Sequence, residues 1–127
     1  MEEMQTIAEL AKKYDAYVVT DEVYEHIIYA PNKHVYMQAL DGMRERTIVC
    51  NSLSKTYSIT GWRLGYVIAN PQIIDRVKKV HDFLTVGAAA PLMEAAVTGL
   101  KFDDEYYDKL AAHYAHMKEV FVLYNSN

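Results

Sequence analysis

Two short runs of β-branched residues constrain the fold of this chain more than any other feature. Residues 16–20 (AYVVT) and 47–51 (TIVCN) are mostly apolar and show no alternation with polar residues. A strand with this pattern is covered on both faces, as in a largely parallel sheet between layers of helices. Residues 64–69 (LGYVIA) predict a third strand, which ends at Asn70-Pro71. The chain is therefore predicted to hold part of a larger α/β sheet.

The spacing of apolar residues predicts helices around these strands, over residues 2–14, 71–84 and 90–100. The final segment carries an apolar stripe at helical spacing: Tyr106, Leu110, Tyr114, Met117, Phe121 and Tyr124. Asp103 and Asp104 precede this stripe, where a helix favours a cap and negative charge. We expect the stripe to pack into a core. Because Met1 cannot cap the first helix and the chain stops after the stripe, residues 1–127 are expected to form a single partial domain.

Composition narrows the classes of function. Seventeen acidic and thirteen basic residues give a net charge of −4, so we expect no nucleic-acid partner, because phosphate backbones require a basic surface. Residues 86–97 form the longest apolar stretch, but Glu94 interrupts it and it is too short to span a bilayer, so no membrane segment is expected. Cys50 is the only cysteine. It is expected to be a small core residue in a reducing cytoplasm, with no disulfide and no cysteine-based metal site.

Two polar segments follow the first two predicted strands. Residues 20–25 (TDEVYE) come after the first strand, and residues 51–63 (NSLSKTYSITGWR) come after the second. Ligands of open α/β sheets bind beyond the carboxyl ends of the strands. If the two strands are neighbours, Asp21 and Lys55 face the same crevice.

The side chains in these segments suit a phosphorylated carbonyl cofactor. Ser52, Lys55 and Arg63 can form a phosphate pocket, since arginine forks onto oxygens and hydroxyls donate. The amine of Lys55 could instead bond to a carbonyl as a Schiff base. Asp21 provides a carboxylate that favours a positive charge opposite it. An acid, an amine, an arginine and a serine together match the chemical handles of pyridoxal phosphate.

Three segments resemble a known family. Residues 51–66 are similar to the cofactor-lysine segment of fold-type I aminotransferases, the aspartate aminotransferase superfamily of class I/II. Asp21-Glu22-Val23-Tyr24 resembles the Asp-x-x-Tyr motif of that family, and residues 83–97 resemble its bacterial and archaeal branch. The likeness covers nearly the whole chain. It implies an α/β fold, a portion of the large pyridoxal-phosphate-binding domain, with a mixed, mostly parallel sheet covered by helices.

The resemblance also implies roles for individual residues. Lys55 would form the Schiff base with pyridoxal 5′-phosphate and move a proton during catalysis. Asp21 would pair with the pyridinium nitrogen, and Tyr24 would hydrogen-bond the phenolic oxygen of the ring. The phosphate would be held by Ser52 and Arg63, with Ser54 as a weaker candidate.

The implied reaction is amino transfer between an L-amino acid and a 2-oxo acid. The resemblance also implies a homo-oligomer, namely a dimer. The match corresponds to the C-terminal half of the large domain. By the resemblance, the small domain, whose arginine would bind the substrate carboxylate, is expected to lie outside the matched part. We therefore expect the isolated chain to be inactive, because catalysis depends on geometry held from several sides. The alternative is a truncated, non-catalytic remnant that associates with itself to hide uncovered surface.

Each site residue also has a simpler interpretation. Lys55 could be a solvated surface charge, Asp21 a cap of the following turn, and Tyr24 a packing residue. Arg63 could form an ion pair with Glu22 or Glu25.

Other motifs are weaker. Ser52-x-x-Lys55 satisfies the Ser-x-x-Lys pattern of penicillin-binding proteins, but those proteins need a Lys-Thr-Gly strand that this chain lacks. His113 and His116 could touch one metal ion, but no third ligand follows at a suitable spacing, so no metal site is predicted. Trp62 and Tyr66 are interpreted as packing residues.

Overall fold

The sheet has three strands of mixed direction in the computed structural model, which describes residues 1–126. The strands are β1 (Val18–Asp21), β2 (Thr47–Ser52) and β3 (Gly65–Ile68), in the order β1-β2-β3. β1 runs parallel to β2, with Asp21 opposite Cys50. β3 runs antiparallel to β2, with Ser52 opposite Gly65. The predicted α/β class and mixed sheet are confirmed.

The described residues also form five helices: α1 (Glu2–Lys13), α2 (Leu53–Thr56), α3 (Pro71–Thr85), α4 (Ala90–Leu100) and α5 (Asp104–Asn125). Short 3-10 turns occupy Met37–Ala39, Arg44–Arg46 and Thr60–Trp62. The side chain of Asp103 accepts a hydrogen bond from the backbone N–H of Tyr106, which confirms the predicted cap of the last helix. α2 was not predicted, because four residues are too few to show a helical period. Within residues 1–126, no helix is both long and apolar enough to cross a membrane.

The buried residues form two small clusters. Ala8 and Ala11 of α1 pack with Met37 and Met43 beside the sheet. Leu53, Leu64 and Ala96 form the second cluster, where α4 covers the connection between β2 and β3.

Cover on both faces, which the sequence predicts for the first two strands, is found only in part. β2 alternates buried and half-buried residues, β1 alternates half-buried and exposed ones, and every residue of β3 is exposed. The apolar run that predicts β3 therefore belongs to a strand that the described helices leave uncovered.

The apolar stripe of α5 packs only through its first half. The Tyr106 hydroxyl donates to the backbone carbonyl of Thr56 at 2.7 Å, and the Tyr107 and Tyr57 hydroxyls lie 2.9 Å apart. In the second half, Phe121 is 70% exposed and Tyr124 is exposed as well. The prediction that the whole stripe packs into a core is therefore wrong for its second half, because no described element lies against it.

Candidate active site

The parallel pairing of β1 and β2 brings the two polar segments to one edge of the sheet. Asp21 ends β1 opposite Cys50, and the backbone N–H of Glu22 donates to the Cys50 carbonyl at 2.9 Å. Asp21 is exposed, and its Oδ1 accepts from the backbone N–H of Val23 at 3.2 Å. The carboxylate thus caps its own turn, as the simpler interpretation predicts. It also remains open to solvent at the edge where ligands of such sheets bind.

Lys55 reaches the same edge from α2, which follows β2 without a linker. The side chain of Ser52 caps this helix by accepting from the backbone N–H of Ser54. Lys55 is half-buried, and its Nζ lies 6.0 Å from the centroid of the Tyr24 ring. Tyr24 is 56% exposed, so most of its ring is available to a ligand rather than packed in a core. The structure therefore brings Tyr24 and Lys55 together, next to the end of β1.

Ser52 and Ser54 form a hydroxyl pair at the start of α2. The Oγ of Ser52 lies 2.7 Å from the Oγ of Ser54 and 3.1 Å from the carbonyl oxygen of Leu64. Its single proton can be donated to only one of these at a time. The pair is half-buried at Ser52 and buried at Ser54, so Ser52 is the more accessible hydroxyl.

Arg63 closes the connection between α2 and β3. Its backbone is left-handed, with φ of 56°, and its Nη1 donates to the carbonyl of Thr60 at 3.1 Å. The side chain is exposed. No ion pair joins Arg63 to Glu22 or Glu25 among the described residues, because both carboxylates have other partners. That alternative prediction is wrong.

One of these partners is His34, which sequence reasoning missed. Glu22 is only 4% exposed, and its Oε2 lies 2.5 Å from Nε2 of His34. The imidazole in turn meets the ring of Tyr36 edge-on, at 4.5 Å between centroids. Glu22 follows β1 directly, and this position is the sequence signal for the burial of its carboxylate.

Glu25 is the centre of a second network that the sequence did not predict. Its Oε1 accepts from Nδ2 of Asn51 at 2.5 Å, and its Oε2 accepts from the Tyr36 hydroxyl at 2.8 Å. Burial first, and then the hydrogen bond to Glu25, raise the pKa of Tyr36. Burial and the nearby charge of Glu25 likewise raise the pKa of Tyr66, which stands opposite Asn51 on β3. Tyr66 is therefore part of a polar network rather than a simple packing residue.

Of two cavities in the structure, one adjoins the predicted site residues and the other does not. A cavity of about 80 Å³ has Glu25, Asn51, Ser52 and Tyr66 in its wall, so it adjoins the network at the end of β2. An open groove of about 550 Å³ lies between Tyr29 and α5 and contains none of the predicted site residues. Within residues 1–126, no three His, Cys, Asp or Glu side chains come together as a metal site.

In comparisons with known proteins, the chain is similar to aminotransferases. Residues 1–123 match the family model of aminotransferase class I and II. The chain is 40% identical over 107 residues to kynurenine–oxoglutarate transaminase 3 of Homo sapiens, across 84% of this chain and 24% of that protein. It is 38% identical over 102 residues to an aspartate aminotransferase of Pyrococcus horikoshii, across 80% of this chain and 26% of that protein.

A solved structure is similar over nearly the whole chain. YbdL from Escherichia coli, described as having a methionine aminotransferase function, superimposes with a TM-score of 0.88 at 30% identity, over 96% of this chain and 32% of that one. The chain thus spans between 24% and 32% of the length of these three proteins. Because the family model covers nearly every residue, the chain belongs to the class I and II aminotransferase family.

Proposed function

We propose that this chain is the cofactor-lysine portion of a pyridoxal-phosphate-dependent aminotransferase, with Lys55 as the residue that bonds to the cofactor. One observation carries the proposal: Nζ of Lys55 lies 6.0 Å from the Tyr24 ring, at the sheet edge where Asp21 ends β1. A lysine, a phenol and a carboxylate at the carboxyl ends of parallel strands form a small polar set in the position where such sheets bind ligands. The aminotransferase names of the similar proteins support the same function.

The donor set fits pyridoxal phosphate. The amine of Lys55 suits the aldehyde, the exposed carboxylate of Asp21 suits a protonated ring nitrogen, and the phenol of Tyr24 suits the ring oxygen. Ser52 and Arg63 supply a hydroxyl and a guanidinium for the phosphate. When bound, the cofactor supplies an electron sink that stabilises negative charge on the substrate.

Each residue then has a separate task. The negative charge of Asp21 would hold a proton on the ring nitrogen, which favours the electron-accepting form of the ring. The Nζ of Lys55 would accept the proton from the substrate Cα and deliver it to C4′ of the cofactor. We propose an L-amino acid as donor and a 2-oxo acid as acceptor, and a dimer of the whole enzyme as the working assembly. We propose the cytoplasm as its compartment, because the free thiol of Cys50 suits a reducing environment.

Covalent trapping tests this proposal. The purified 127-residue chain is mixed with pyridoxal phosphate and reduced with borohydride, and the modified lysine is located by peptide mass spectrometry. We expect a single adduct on Lys55, which Lys55→Ala abolishes and Asp21→Ala weakens. Lys118→Ala is the matched control, because Lys118 also lies over a tyrosine ring, that of Tyr29 at 4.5 Å, but away from the site. Labelling scattered over many lysines, or none, would refute a retained cofactor site.

Exposed apolar surface favours a second candidate, a self-associating remnant without turnover. Phe83 is 92% exposed at the end of α3, and Leu84 and Val86 beside it are also exposed. Phe121 and Tyr124 extend a second apolar surface along α5. Soluble monomers seldom expose large apolar patches, so burial between copies would stabilise the chain.

Sedimentation velocity tests the second candidate. A remnant associates at micromolar concentration, and Phe83→Ser together with Phe121→Ser shifts the chain to the monomer. Tyr14→Ser is the control, because Tyr14 is exposed at the end of α1, away from both surfaces. A wild-type monomer over the whole concentration range would exclude the second candidate.

A further inference from the structure

We propose that Glu25 is a positioning residue that fastens the Asp21–Tyr24 turn to the end of β2 and so sets Tyr24 opposite Lys55. The inference deepens the proposed function and rests on it only for the role of Lys55. The attachment itself follows from the contacts of Glu25.

The first contact joins the two segments that carry the predicted site. Glu25 directly follows Tyr24, and its Oε1 accepts from Nδ2 of Asn51 at 2.5 Å. Asn51 is buried, and its own Oδ1 accepts from the backbone N–H of Ser52 at 2.6 Å. Ser52 caps α2, which carries Lys55. A single carboxylate therefore connects the turn of Tyr24 to the residue before the helix of Lys55.

The second contact occupies the other oxygen. The Tyr36 hydroxyl donates to Oε2 at 2.8 Å, and this ties the far end of the loop after β1 to the same carboxylate. The side chain of Glu25 is 14% exposed, so these bonds form largely out of water. A glutamine has one oxygen and one NH₂ group, so it would turn a donor towards either Asn51 or Tyr36. The carboxylate can accept from both partners at once, whereas a glutamine could keep both contacts only if the Tyr36 hydroxyl changed from donor to acceptor.

Other bonds of the turn do not replace this attachment. The backbone N–H of Glu25 donates to the Glu22 carbonyl, and that of Ile27 donates to the Tyr24 carbonyl, both at 2.9 Å. These two bonds shape the turn internally but do not connect it to β2. The bond from the N–H of Glu22 to the Cys50 carbonyl does connect it, but lies before Tyr24 in the chain. Glu25 provides the connection that follows Tyr24, so the tyrosine is held from both sides.

Glu25→Gln tests the inference in the full chain, with Glu105→Gln as the matched control. Glu105 is an exposed carboxylate of α5 that pairs with Lys109 at 2.6 Å. The first readout needs no cofactor: hydrogen exchange of residues 22–27 should accelerate about tenfold in Glu25→Gln and stay unchanged in the control. The second readout is the pyridoxal phosphate concentration that gives half-maximal trapping on Lys55, which should rise about tenfold in Glu25→Gln alone.

A double-mutant cycle with Tyr24→Leu distinguishes positioning from general support of the structure. If Glu25 acts through Tyr24, Glu25→Gln adds nothing to the loss of Lys55 trapping that Tyr24→Leu already causes. The absorption band of the unreduced mixture should shift in the same direction in Glu25→Gln and in Tyr24→Leu. Additive losses, or faster exchange with unchanged trapping, would overturn the positioning role.

The proposed function and this inference fail separately. If the wild-type chain shows no selective Lys55 adduct, the proposed function fails. The attachment is judged by hydrogen exchange alone: unchanged exchange in Glu25→Gln overturns it, and faster exchange supports it. If Glu25→Gln does not fold, Tyr36→Phe replaces it, since it removes one donor and leaves the Asn51 bond in place. Exchange of residues 22–27 should then rise about threefold, and no change would overturn the inference.

Discussion

Tyr24 and Lys55 meet across two different elements, with Nζ of the lysine 6.0 Å from the centroid of the tyrosine ring. Tyr24 lies in the turn after β1, whereas Lys55 belongs to the helix that follows β2. Their proximity therefore depends on the parallel pairing that places Asp21 opposite Cys50. Substitutions of residues that fix this pairing should therefore alter both the fold and the site. Substitutions of residues that only face the ligand should leave the fold unchanged.

Replacing the adjacent carboxylates Asp21 and Glu22 with amides should affect the stability of the chain very differently. Asp21 is exposed, so Asp21→Asn should change the free energy of unfolding by less than about 0.5 kcal/mol but weaken Lys55 trapping. Glu22 is buried against His34, so Glu22→Gln should lower the free energy of unfolding by about 2 kcal/mol. Urea titration of both variants measures this difference. Equal stability losses would contradict the assignment of Asp21 to the ligand-facing edge.

Gly65 should tolerate no side chain. A Cβ at this position would lie 2.8 Å from the backbone carbonyl oxygen of Asn51, inside the pairing of β2 with β3. Gly65→Ala should therefore lower the free energy of unfolding by about 2 kcal/mol, because neither backbone segment can move freely. Gly61→Ala is the control, since a Cβ there meets nothing within 4 Å, and it should shift stability by less than about 0.5 kcal/mol. Similar urea midpoints for the two variants would disprove the close approach.

Alkaline pH should destabilise the chain through Tyr57. Burial, and then the hydrogen bond with Tyr107, raise the pKa of Tyr57 in the folded state. The unfolded chain releases this proton near pH 10, so above that pH the folded state binds more protons and stability falls. The contribution of Tyr57 is complete below about pH 10 and is lost as the pH rises towards the folded pKa. Urea midpoints at pH 9 and pH 11 should fall less in Tyr57→Phe than in wild type, and parallel declines would refute this.

Replacing Val86 with glycine should stabilise the chain. Its φ is 66°, and the backbone N–H of Gly87 donates to the Thr85 carbonyl at 2.7 Å across it, which defines a γ-turn of the rarer, strained form. The side chain is exposed, so its removal loses little packing. We expect Val86→Gly to raise the free energy of unfolding by about 1 kcal/mol. Val80→Gly, exposed within α3, should instead lower it by about 0.5 kcal/mol, and thermal unfolding of both variants provides the comparison.

The sequence predicted the elements well where apolar periodicity was long. The helices over residues 71–84 and 90–100 and the strand over residues 47–51 agree with the structure to within a residue at each end. The antiparallel direction of β3 could not be predicted, because an apolar run looks the same in either direction. The exposure of β3 and of the end of α5 could not be predicted either, since burial depends on what lies opposite an apolar face.

The candidate site was predicted in part. Motif resemblance predicted Asp21, Tyr24, Ser52, Lys55 and Arg63 as site residues, and the structure places Tyr24 and Lys55 together. It could not identify the contacts of Glu25, because both Asn51 and Tyr36 are distant in sequence and become neighbours only through the pairing of β1 with β2. From charge alone, an ion pair of Arg63 with Glu22 or Glu25 was the alternative prediction. That inference could not include the position of the guanidinium, which lies on the connection to β3 and donates to the Thr60 carbonyl.

The pairing of Ser52 with Gly65 has a consequence for the order in which the chain assembles. Only α2 and the 3-10 turn at Thr60–Trp62 separate β2 from β3, so the antiparallel pairing of the two strands closes a short loop that already contains Lys55 and Arg63. Asp21 joins β2 only after a longer loop closes, which costs more conformational entropy. During folding, the loop that contains Lys55 and Arg63 should therefore form early, and the Asp21 carboxylate should reach its position late. Formation of the sheet edge, rather than of the lysine helix, then sets the moment at which the crevice becomes complete.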